Sequence, residues 1–148
     1  MRVILQRVAQ ASVKIEKKKI SEIKSGFLLL VGFKDGDGQR EIDYLAHKIA
    51  NVRVFSDSDE KMNLNIKQAA GMVLSVSQFT LYAATRKGNR PSFTEAQAPE
   101  LAEENYQRFN AALRAEGLKV SEGIFGANMQ VELVNDGPVT IIYDTENN

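Results

Sequence analysis

The chain has 148 residues but no cysteine, no tryptophan, one histidine and three prolines. Without cysteine there are no disulfides, thiolate zinc sites, iron–sulfur clusters or thiol nucleophile. A single histidine excludes a multi-histidine metal site and leaves His47 alone for any histidine-based triad. An excess of one charge is missing too: 19 basic side chains balance 19 acidic ones, which argues against a protein that coats nucleic acid over a long footprint. The longest apolar run, GFLLLVGF at 26–33, falls far short of the roughly 20 residues a membrane helix needs. The opening MRVILQRV lacks the apolar length of a secretion signal. A cytoplasmic location with no membrane partner is therefore expected. No metal and no cofactor are expected either. Asp35 and Asp37 hint at a calcium loop, but the twelfth position from Asp35 is Ala46 rather than Glu. No glycine-rich phosphate loop of either common kind is present.

The length suits one domain over 1–148, with 144–148 as a flexible tail, and a core that buries about 70% of the surface the unfolded chain exposes. Period-two alternation predicts extended stretches at 2–9 and 12–16 and a short strand around Ile20 and Ile23. The continuous apolar run 27–31 reads as a strand covered on both faces. Ile42, Leu45, Ala46, Ile49 and Val52 follow helical spacing, which predicts a helix over 39–51. Residues 53–55 and 72–79 read as strands. Pro99 starts a second helix that Gly117 stops. Met129, Val131 and Leu133 alternate in a further strand, Asn135 to Pro138 read as a turn, and 139–143 as the last strand. Two helices cannot cover both faces of so many strands. The expected fold is therefore α/β, a folded-over sheet or two packed sheets with two helices on one side.

Two constellations carry chemical potential. In SQFTLYA (77–83), Ser77 and Thr80 bring hydroxyls, Gln78 an amide and Phe79 a stacking ring where an apolar strand runs out. These are also ordinary residues for a sheet end, and a threonine hydroxyl is a poor nucleophile without an adjacent base. NDGPVT (135–140) is the second; Gly137 permits a close approach to the backbone and Pro138 permits a cis bond. Arg86, Lys87 and Arg90 follow the first motif on a basic loop suited to phosphate, whereas Lys17, Lys18 and Lys19 read as a solvated hairpin.

Together these motifs resemble the D-aminoacyl-tRNA deacylases, also called D-tyrosyl-tRNA deacylases. LQRV near the start, FSD, KMNLN (61–65), SQFTLYA, NRPSF (89–93) and GIFGANMQVELVNDGPVT (123–140) carry the resemblance along the whole chain. It implies a homodimer with active sites at the interface and hydrolysis of the ester of D-aminoacyl-tRNA at its 3′ end. Ser77, Gln78, Phe79 and Thr80 would line the reacting pocket. Gly137 and Pro138, joined by a cis bond, would enter the partner subunit's pocket and exclude L-amino acids. Arg7 would hold that motif, and Phe125 and Met129 would line the adenine side. The chemistry then falls to backbone N–H groups and the 2′-OH of the tRNA, with action on glycyl-tRNA as well. Thr80 as the nucleophile, or a non-catalytic RNA-binding module, are the alternatives.

Overall fold

A computed structural model describes residues 1–147. Its spine is β1 (Arg2–Ile15), whose Val3, Leu5, Val8, Ala11 and Val13 are all buried. The two extended stretches expected at 2–9 and 12–16 are one continuous strand. Continuity follows from its neighbours: β2 (Lys18–Ile23) pairs with its second half, β3 (Gly26–Gly32) with its first half, and β8 (Gln130–Asp144) along the other edge. β6 (Met72–Ser77) joins β3 in parallel, and β7 (Val120–Glu122) joins β6 in parallel. The order is β2-β1-β3-β6-β7 with β8 on β1. β2 comes back into contact with β6 and β7, so the sheet nearly closes on itself. β4 (Phe55–Ser56) and β5 (Met62–Leu64) form a separate small hairpin.

Helices α1 (Gln39–Asn51) and α2 (Pro99–Ala115) cover one face of this sheet. The α1 bounds coincide with the period-3.6 stripe, whose Ile42, Leu45, Ala46 and Ile49 are buried. Its first turn is closed where the Gly38 N–H donates to the Glu41 carboxylate at 3.0 Å, a bond that holds Glu41 below its ordinary carboxylate range. The end of α2 is a Schellman arrangement. Gly117, at φ +89°, donates to Arg114 O at 2.9 Å, and Leu118 donates to Leu113 O at 3.2 Å. Between helices and sheet lies the main core, with Leu5, Phe27, Leu29, Ile42, Leu45, Tyr106, Phe109 and Leu113 at its centre. A second, smaller core fills the inside of the curled sheet with Val8, Val13, Ile23, Leu28, Leu74 and Val76. Because β3 contributes to both, its sequence is apolar at every position rather than alternating.

Three local expectations are corrected. Asn135 to Pro138 do not make a turn between two strands; they lie within the single strand β8. Gln6 pairs with Thr140 and Val8 with Asn135, so a two-residue step on β1 faces a five-residue step on β8. The excess bulges outward, and Asn135 closes it by accepting from Val139 N at 2.8 Å and donating to Thr140 Oγ1 at 3.1 Å. Second, β6 stops at Ser77 rather than Phe79, because Phe79–Tyr82 coil into a 3₁₀ turn. Third, β5 and β7 have no counterpart in the sequence pattern; each is only 3 residues long and owes its pairing to distant partners.

Residues 144–147, read as a tail, are tied down. Asp144 pairs with Arg2, Thr145 N donates to Met1 O at 3.0 Å, and Glu146 pairs with Lys34; residue 148 lies outside the described residues. Beside them the Met1 ammonium, fully buried, donates to Asp37 Oδ1 at 2.5 Å and to Thr145 Oγ1 at 2.7 Å. Asp37→Asn should leave that buried ammonium without its counter-charge and lower stability by about 3 kcal/mol. A shifted urea midpoint at unchanged slope is the measurement; an unmoved midpoint contradicts the expectation.

Candidate active site

The ends of β3 and β6 lie side by side, with Val31 opposite Ser77, and there the chain opens a pocket of about 380 Å³. Val31, Gly32, Phe33, Ser77, Gln78, Phe79, Phe93, Gln97, Pro99, Ala102, Phe125 and Gly126 are among its walls. None of the lining residues carries a titratable side chain. Gln78 N donates to Val31 O at 2.7 Å as the last ladder bond, after which the chain leaves the sheet for the 3₁₀ turn. The N–H groups of Phe79 and Thr80 open that turn and precede its first i→i+3 bond, so they have no partner within it. Gly32 makes this approach feasible. A Cβ there would stand 2.9 Å from Gln78 O and 3.2 Å from Leu81 Cβ, too close for any side chain without moving the turn.

Side chains around the pocket are fixed by packing and by hydrogen bonds. Phe79, 57% exposed, meets Phe93 edge-on at 5.1 Å and 72° across the mouth. Gln78 Nε2 donates to Thr80 Oγ1 at 2.6 Å. The Phe125 ring rests against Tyr106, centroids 6.1 Å apart. The Tyr106 hydroxyl donates to Ser75 O at 2.8 Å, and Gly123 N shares that acceptor at 3.0 Å, tying the loop before Phe125 to β6. Burial raises the Tyr106 phenol above its ordinary range. Gln97 is held by its own amide, which donates to Asp37 O at 3.2 Å and accepts from Asn105 at 2.9 Å.

The structure thus brings Ser77, Gln78, Phe79 and Phe125 together on one pocket, with Thr80 exposed on the same turn. Met129 is not among the lining residues; it packs against the smaller core, beside Gly123. Arg86, Lys87 and Arg90 are exposed on a loop whose base is the Ala84–Ser92 bridge, next to Phe93 at the mouth. His47 lies on the surface with Nδ1 3.1 Å from Glu116 Oε1. Gly32, Gln97 and Ala102 escaped sequence reasoning. Gly32 sits inside an apolar run, and Gln97 is held through distant partners, among them Asp37, 60 positions away.

Gly137 and Pro138 lie elsewhere in the chain, joined by a cis bond and exposed on the bulge of β8. Arg7 reaches them from β1: Nε donates to Asp136 O at 2.8 Å, and Nη1 donates to Val54 O. Arg7 pairs with Phe27, while Val31 pairs with Ser77 further along β3, and β8 stands three strands from β6. At about 3.3 Å per residue and 4.8 Å per strand, the two motifs are on the order of 20 Å apart.

A larger groove, about 680 Å³, lies by Gln10, Lys14, Lys19, Glu132 and Val134. Four of its five charges already pair with one another, Lys14 with Glu132 at 2.7 Å and Lys19 with Glu22 at 2.5 Å, and Lys24 is the fifth. The smaller pocket, with its uncharged lining and the 3₁₀ turn at its edge, is the better candidate for chemistry.

Residues 4–144 match the family model for D-Tyr-tRNA(Tyr) deacylase. A curated D-aminoacyl-tRNA deacylase of Bifidobacterium animalis subsp. lactis is 56% identical over 155 residues, covering 99% of this chain and 98% of its own. Another, from Bifidobacterium adolescentis, is 54% identical with the same coverage. Among solved structures, the c-Myc DNA Unwinding Element Binding Protein superposes with a TM-score of 0.91 at 40% identity, over 98% of this chain and 99% of that one. A probable eukaryotic D-amino acid tRNA deacylase shares the fold, with a TM-score of 0.80 at 18% identity over 96% and 97% of the two chains.

Proposed function

The chain belongs to the D-Tyr-tRNA(Tyr) deacylase family, hydrolases of D-aminoacyl-tRNA, and from that premise we propose that it cleaves the ester in the pocket between β3 and β6, with the RNA as part of the catalyst. Water adds to the ester carbonyl, the bond to the ribose oxygen breaks, and free D-amino acid and tRNA leave. The observation that carries this reading is the pocket itself: neutral throughout, walled by Ser77, Gln78 and Phe79, and bordered by a 3₁₀ turn whose first N–H groups, those of Phe79 and Thr80, have no partner within the turn.

Those two N–H groups suit an oxyanion, whose charge appears only as the carbonyl is attacked. An aminoacyl ester is labile, so positioning and oxyanion stabilisation supply most of the barrier reduction. The terminal adenosine stacks on the exposed Phe79 ring, with Phe125 on the adenine side. Phosphates nearby meet Arg86, Lys87 and Arg90. The vicinal 2′-OH orients the attacking water in place of a protein base. Thr80 as nucleophile is disfavoured, because its Oγ1 already takes the Gln78 amide proton and no base stands beside it.

Chirality is read by exclusion. Gly137 and Pro138 lie too far from their own chain's pocket to shape it, so a second copy supplies them. The outward face of β8 fits such a contact, with Val134 and Ile142 exposed, Ile142 at 65%. In the homodimer the motif stands where an L side chain would point, while a D side chain points to open space. Glycine has no side chain to exclude, so glycyl-tRNA is cleaved too. Matched D- and L-tyrosyl-tRNA test the reading. Loss of the D-ester, survival of the L-ester and measurable loss of the glycyl ester are expected; equal loss of D and L overturns it.

A further inference from the structure

We infer that Arg2 is a positioning residue for the turn that presents the Phe79 and Thr80 N–H groups. This rests on reading that turn as the reacting edge of the pocket. A 3₁₀ turn leaves its last carbonyls without internal partners, and Leu81 O is one of them. Arg2 Nη1 donates to it at 2.5 Å. The same guanidinium is held on its other sides, with Nε and Nη2 donating to Asp144 Oδ2 at 3.1 and 2.7 Å and the plane lying over the Tyr82 ring at 4.8 Å. Asp144 is buried and is the register partner of Arg2 across β1 and β8, and Gly32 is its partner across β1 and β3. Arg2 is therefore fixed by the sheet before it touches the turn.

Other ties on the turn act elsewhere. Gln78 N binds Val31 O at its start, and Ala83 N binds Thr80 O within the turn. Arg2 joins the turn's C-terminal end to β1, beside the buried Tyr82 side chain. With both ends held, the two N–H groups point in a set direction. With one end released, the turn tilts about Gln78 and the donors move off the forming oxyanion. A cation at the C-terminal end also suits the dipoles of the aligned peptides. These donors act on charge that exists only in the transition state, so the effect falls on kcat rather than on substrate affinity.

The experiment measures kcat, KM and thermal unfolding for Arg2→Gln, Arg2→Lys and Asp144→Asn in the full chain with D-tyrosyl-tRNA. Arg2→Gln should lower kcat about tenfold or more with KM changed by less than about threefold, at temperatures where the variant is folded. Arg2→Lys, which keeps a charged donor for Leu81 O, should recover part of that loss. A folded Arg2→Gln with wild-type kcat, or a loss confined to KM, overturns the inference. Should Arg2→Gln fail to fold, Asp144→Asn decides: a lowered kcat at unchanged KM supports the role, and a wild-type kcat removes it. Phe79→Ala, which keeps the main-chain N–H and removes the ring, separates this from the underlying reading: wild-type kcat and KM there would mean that the terminal adenosine does not stack on this turn.

Discussion

D-Tyrosyl-tRNA ending in 2′-deoxyadenosine should be hydrolysed about a hundredfold or more slowly than the natural substrate, because general-base assistance of this kind is worth about 10²–10⁴ in rate. The pocket walls supply no substitute. No carboxylate, histidine, lysine or tyrosine lines them, and the single histidine is on the surface against Glu116. The hydroxyl of Thr80 is engaged by Gln78. Thr80→Ala should accordingly keep its rate within about tenfold, since it removes only the anchor of the Gln78 amide and no reacting group. Single-turnover ester loss with the two RNAs and the two proteins gives all four rates. The reverse pattern, a dead Thr80→Ala with an indifferent 2′-deoxy substrate and a trapped acyl-enzyme, would falsify substrate assistance in favour of a protein nucleophile.

The second large effect concerns Gly137→Ala. A Cβ at this position would lie 2.8 Å from Val139 Cγ2, 2.9 Å from Val139 N and 3.0 Å from Arg7 Nη2. The Val139 side chain could turn away, but its backbone nitrogen could not. The residue also sits at φ +143°, a region L side chains rarely adopt. The segment must therefore move, and with it the carbonyl of Asp136 that Arg7 holds. A displacement near 1 Å at a positioning element costs about a hundredfold in rate. We expect a fall of that order for D-tyrosyl-tRNA together with a lower ratio of D to L hydrolysis. A variant that keeps both rate and ratio would show that the wall lies somewhere other than Gly137. In the proposed homodimer the motif acts in trans, so mixing Gly137→Ala with a Phe79→Ala protein should restore part of the activity in the mixed dimers.

Local pattern was enough for much of this molecule. The α1 stripe, Pro99 and Gly117 mark helices whose limits depend on nearby residues, and the structure follows them. Misjudged regions depend on distant partners. Asn135 to Pro138 look like a turn because Asn, Asp, Gly and Pro favour one locally. Pairing with β1 on either side keeps them within a strand instead. Ser77, Gln78 and Phe79 were recognisable as a group because they adjoin in sequence. Gly32 and Gln97 were not, since each matters through an atom far along the chain: Gln78 O for one, Asp37 O for the other. Arg2 gave no signal at all, as its three contacts lie at residues 81, 82 and 144.

The outward bulge of β8 bears on how errors in protein synthesis propagate. In the proposed reading, enantiomer choice resides in main-chain atoms of Gly137 and Pro138, latched by Asn135 on one side and Arg7 on the other. An enzyme that removes mischarged residues is itself made by the machinery it corrects. Misincorporations that spare Arg7, Asn135, Gly137 and Pro138 would change a side chain and leave the backbone path of the bulge intact. Copies carrying such mistakes would still refuse the L-ester, so a burst of faulty translation would not turn the safeguard against the normal aminoacyl-tRNA pool.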